Sequence, residues 1–175
     1  MTWPKGLEQY IIDPTNLPQD ARILHEGEEV IEDITHPLGL GITSDGVLKS
    51  PSSEDKQPLY EYDSAYSFSA LLPQENVVIA DFVYQYSTPS QAQAAAKIMS
   101  EDLLAEGSQS YELPVSKDVR DLQGQGFSLK GEEGDYVSWF VGTRDNVLVL
   151  VLVNGMNDSA VNTAFDSIVE GMYKQ

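Results

Sequence analysis

The chain contains no cysteine, so disulfides, thiolate metal sites and thiol nucleophiles are excluded. Histidine is nearly absent as well. His25 and His36 sit eleven residues apart without the HExxH pattern of a zinc protease, and an isolated histidine is more often structural or solvated than catalytic. Basic residues number 10 against 28 acids, a formal net charge of −18. A nucleic-acid surface needs clustered Lys and Arg to displace counterions, and ten scattered bases argue against DNA, RNA or an anionic membrane surface as a partner. Long apolar runs are missing too. The longest covers the seven residues 147–153, against about 20 for a membrane-spanning helix. No GxSxG elbow, phosphate loop or dinucleotide fingerprint occurs, and the lone Gly124-Gln125-Gly126 has no helix after it.

A chain of 175 residues suits one domain and buries roughly 70% of its unfolded surface, enough to fold without a metal or disulfide. Residues 1–60 hold six of the nine prolines, which interrupt long elements by fixing φ and removing a donor. This irregular segment is expected to pack on an α+β domain formed by residues 61–175. Within it, ARILHEGEEVIEDI (21–34) reads as two short strands around a turn at Gly27, with a helix over 28–33 as the competing reading. The opening MTWPKG fits either a natural start or a junction left by removal of a secretion or lipoprotein leader.

From residue 60 the pattern sharpens. Residues 62–72 and 77–87 have strand composition, separated by a turn at 73–76. Thr88, Pro89 and Gly107 then cap, open and stop a helix. Residues 135–143 and 147–154 form a hairpin about Asp145-Asn146, and a second helix starts near Asn157 or Asp158. Between these units FSLK (127–130) reads as a strand, and VRDL (119–122) is a further candidate. The two strand–strand–helix units align without a gap at an offset of 70 residues, Tyr66 on Tyr136 and Asn76-Val77 on Asn146-Val147, which raises an internal duplication. The expected architecture is α+β, a mainly antiparallel sheet with two helices on one face.

The run 147–153 poses a question of coverage. Pairing across Asp145-Asn146 sets Trp139, Val141, Leu148, Leu150 and Leu152 on one face, which is the face chosen for the helices. The other face carries Tyr136, Phe140, Val149, Val151 and Val153, with gaps at Ser138 and Gly142. A sheet covered on one side only should be polar on the other. Something must therefore cover this second face, and the candidates are the segment 1–60, a sister subunit in a homodimer, or a small-molecule ligand. These five residues are the candidate ligand-binding positions.

Acidic clusters are the remaining signal. Glu26, Glu28, Glu29, Glu32 and Asp33 form one, and Glu132, Glu133 and Asp135 another. Carboxylate oxygens suit calcium, and the second cluster is the candidate metal position, although neither has EF-hand spacing and a solvated charged face explains both. No other cofactor is implied. Paired carboxylates also permit a hydrolase. Tyr60, Tyr62, Tyr66, Tyr84 and Tyr86 could stack on a sugar or peptide, or simply pack within a sheet.

The stretches TPSQAQAAAKIMSEDLL, GDYVSWFVGTRDNVLVLVLVNG and AFDSIVEGMYK resemble the carboxy-terminal part of bacterial extracytoplasmic lipoprotein and receptor-sensor domains. Sensor domains of mycobacterial receptor kinases and lipoproteins of the PsbP/Mog1-like fold share that order, over residues 62–175. The resemblance implies a non-catalytic extracytoplasmic domain, membrane-anchored in the lipoprotein case, that binds a small molecule or protein. A homodimeric assembly protein is the alternative.

Overall fold

The computed structural model describes residues 10, 12–28, 58–59, 61–106, 109–113, 122–130 and 134–173. A short 3-10 turn at Pro14–Asn16 leads into strand β1 (Arg22–Glu28). Then come β2 (Tyr62–Leu72), β3 (Val77–Tyr86), helix α1 (Pro89–Glu106), β4 (Gln109–Leu113), β5 (Gln123–Lys130), β6 (Tyr136–Arg144), β7 (Val147–Gly155) and helix α2 (Asp158–Tyr173). The seven strands form one sheet in the order β1-β2-β3-β7-β6-β5-β4, with every neighbouring pair antiparallel. The fold is α+β, as the sequence leads one to expect.

Local chemistry accounts for the element ends. Thr88 Oγ1 accepts the Gln91 N–H at 3.3 Å, capping α1, and the same hydroxyl donates to Gln91 Oε1 at 3.0 Å. Asn157 Oδ1 accepts the Ala160 N–H at 3.0 Å and caps α2. In the β6–β7 hairpin Asp145 takes φ 51°, and in the β2–β3 turn Asn76 takes φ 52°, the left-handed region that Asn and Asp tolerate better than other L-residues. Asn146 also fastens its hairpin to the neighbouring strand, donating from Nδ2 to the Tyr86 carbonyl at 2.6 Å.

The expected hairpin register is the observed one: Thr143 opposite Leu148, Val141 opposite Leu150, Trp139 opposite Leu152. The helices, however, do not share a face. Ala92, Ala95 and Met99 of α1 pack with Trp139, Val141, Leu148, Leu150 and Leu152, together with Ala80, Phe82, Tyr84 and Tyr86 of β3. Val161, Ala164, Phe165 and Ile168 of α2 pack on the opposite side, with Phe140, Val149, Val151, Val153, Val77, Ile79 and Val83. Two corrections follow, and they share one cause. β3 and β4 run the same way, because four antiparallel steps separate them. α1 must therefore cross the sheet between them, and it occupies one face over β3, β7, β6 and β5. The equally apolar other face of β7 is left for α2. The repeated unit is not mirrored in this geometry. Since β3 and β7 are antiparallel neighbours, a two-fold that exchanged the units would stand normal to the sheet and keep both helices on one face. The sequence-order repeat thus has no matching three-dimensional symmetry.

Packing is complementary in size. α1 offers alanines to the face that carries the indole and phenol rings, and α2 offers Phe165, Ile168 and Val161 to a face of valines. Burying one such aliphatic or aromatic side chain is worth about 1.5–3 kcal/mol. Leaving Phe140, Val149, Val151 and Val153 in water would therefore forfeit about as much as the whole net stability of a typical domain.

Three further differences concern the first 60 residues and the link between the units. β1 runs unbroken through Gly27, which sits opposite Ser67, so no turn occurs there; the alternative helix over 28–33 falls, from residue 29 on, outside the described residues. The irregular segment therefore contributes a strand to the sheet. β4 was not foreseen, and β5 begins four residues before FSLK; of VRDL only Leu122 is described, and it is buried.

The two glycines of β5 and β6 that face one another, Gly124 and Gly142, make room for Phe140. A Cβ on Gly142 would lie 2.6 Å from the Phe140 ring, and one on Gly124 would lie 2.8 Å from it and against the Val141 carbonyl. This explains the lone Gly124-Gln125-Gly126 as a packing feature. Because Phe140 is fully enclosed, Gly142→Ala is expected to cost about 1–3 kcal/mol, read from urea denaturation midpoints. The cost should shrink in a Phe140→Leu background, and an unchanged cost there would mean that the ring is not the obstacle.

Candidate functional site

The positions proposed for ligand binding are brought together, but as core. Phe140, Val149, Val151 and Val153 are at most 1% exposed and lie under α2. α2 covers much of this face, and Tyr10 and Ile12 of the segment 1–60 are buried in the same cluster beside it. The gap at Ser138 is filled by α2 as well: Ser138 Oγ donates to Asn162 Oδ1 at 2.9 Å and pairs with Ser128 Oγ at 2.9 Å. Tyr136 is half-buried at the end of β6, with Lys130 Nζ 5.7 Å from its ring centroid, a cation–π distance. Of the metal candidates, Asp135 accepts a hydrogen bond from Asn154 Nδ2 at 2.8 Å. Glu132 and Glu133 lie outside the described residues, as do Glu29, Glu32, Asp33 and His36 of the other candidates. Among the described residues no group of three His, Asp or Glu is arranged to hold a metal ion.

The tyrosines divide. Tyr62, Tyr84 and Tyr86 gather on the α1 face, Tyr62 with its centroid 5.3 Å from Tyr84 and 6.4 Å from Tyr86, and all three are buried. The Tyr86 hydroxyl donates to the Leu59 carbonyl at 3.0 Å, and burial pushes its phenol far above the usual range, with Tyr62 and the Glu61 carboxylate adding to the effect. These rings are packing. Tyr66 projects from the opposite face, and Tyr60 is outside the described residues.

A different group stands out on the α2 face of β2 and β3. Asp81 sits at the middle of the sheet, opposite Phe68 on one side and Val151 on the other, and is 1% exposed. Its Oδ2 accepts the Ile12 N–H at 2.9 Å, a buried bond that joins residues 69 apart in sequence. Tyr10 and Ile12 are themselves buried in the cluster around Tyr66, Phe68 and Val83. Tyr66 donates its hydroxyl to Glu26 Oε1 of β1 at 3.2 Å. Its phenol is held well above the ordinary value by burial first, then by the charge and hydrogen bond of Glu26 and the charge of Asp81. A carboxylate so placed needs donors, because an ionised group in an apolar setting is costly unless it is hydrogen-bonded. The arrangement can hold a backbone N–H; it is closed to a reacting substrate while Ile12 occupies it. A signal for it does exist in VVIADFVYQY: alternation from Val77 puts Asp81 on the same face as Ile79 and Val83.

No protein-family model matches the chain, and no curated protein matches it. Among solved structures it is similar to the extracellular domain of PknH from Mycobacterium tuberculosis, with a TM-score of 0.50 at 13% sequence identity, over 89% of this chain and 86% of that one. This is a likeness of fold. No helix among the described residues is long and apolar enough to cross a membrane.

Tyr66 and Tyr86 generate a pH dependence. Both phenols are raised in the folded state above the ordinary value of about 10, so above that pH the unfolded chain loses protons that the folded chain retains. Stability is then fully present below about pH 10 and declines as pH climbs toward the folded values. Urea midpoints measured between pH 8 and 11 should fall at the alkaline end, and Tyr66→Phe should flatten the fall. An equally steep fall in Tyr66→Phe and Tyr86→Phe would assign it to other groups.

Proposed function

We propose that this chain is a non-catalytic extracytoplasmic domain that binds a small molecule, a cation or a protein partner. The observation that carries the reading is the fold likeness to an extracellular domain over nearly the full length of both chains. The resemblance of residues 62–175 to extracytoplasmic lipoprotein and receptor-sensor domains points the same way, and a lipoprotein anchor ahead of the domain is part of the proposal. The strong negative charge favours solubility and cationic or basic ligands over nucleic acid. A hydrolase would need two carboxylates open to one cleft. Glu26 and Asp81 both act on Tyr66, but Ile12 closes over Asp81, which favours a binding role. A homodimer built on the second sheet face loses its motive, since α2 covers that face. For location, protease added to intact cells that make the protein from its own gene should remove it and spare a cytoplasmic marker; survival of both would overturn the reading.

Residues 132–135 are the place where such a domain would hold calcium, through carboxylate oxygens that include Asp135. Melting curves in EDTA, in magnesium and in millimolar calcium, at matched ionic strength, test it. A ligand bound only to the folded state raises the melting temperature by mass action, by about 2.7 kcal/mol of stability at a hundredfold excess over Kd. The expected result is a rise of several degrees in calcium alone that disappears in Asp135→Asn. Three coincident curves would leave the acids with solubility as their role.

A further inference from the structure

We draw no further inference here: the strongest candidate, the outer edge of strand β1 with the side chains of Ile23 and Leu24 50% and 58% exposed, is an apolar patch at a sheet edge, and nothing in the structure shows what covers it.

Discussion

Residues 147–153 have no polar side chain, and from that constraint most of the architecture follows. A strand of this kind can exist only at the centre of a sheet covered on both faces, and β7 is found there, flanked by β3 and β6. One face takes leucines and the other valines, and each receives its own helix. The crossover from β3 to β4 commits α1 to the leucine face. The chain end that follows β7 is then the nearest structure able to close the valine face, and its helix carries the bulky residues that a shallow valine surface needs. The sheet is a single layer between two unlike covers.

That constraint also limits what can be a site. Residues with the greatest apolar surface are consumed by packing. Phe140, whose ring lies where a Cβ on Gly142 of its own strand or on Gly124 of β5 would fall, is a structural anchor, and the tyrosines of β2 and β3 on the α1 face are interlocked with each other. Polar groups at the α2 interface, Ser128, Ser138 and Asn162, satisfy one another and, through Asn162 Nδ2, Asp158. The Asp81 carboxylate is distinctive in this setting, because it accepts the Ile12 N–H from chain outside the sheet and both helices.

Much of this was legible in sequence. β2, β3, β6, β7 and both helices were expected within a residue or two, because alternation, caps and turn residues are local signals. The register of the last hairpin followed from a two-residue turn. The faces of the helices were not legible, since they depend on where β4 inserts, and QSYEL, though bounded by Gly107 and Pro114, has no apolar alternation to announce an edge strand. β1 was read as broken because Gly27 resembles a turn residue, whereas its pairing with Ser67 overrides that local preference. Val149, Val151 and Val153 demand a cover, which local patterning shows; that α2 supplies much of it, beside Tyr10 and Ile12, depends on α1 already occupying the leucine face.

The buried acid was the opposite case, a local signal present and passed over. In a strand of alternating faces an aspartate among Ile79, Val83 and Phe68 has to be explained by a donor, and the Ile12 amide is one. Ile12 lies outside every helix and strand, so its amide is not committed to a ladder and can serve Asp81. Burial of the acid in the sheet and irregular backbone at Ile12 are therefore two sides of one arrangement.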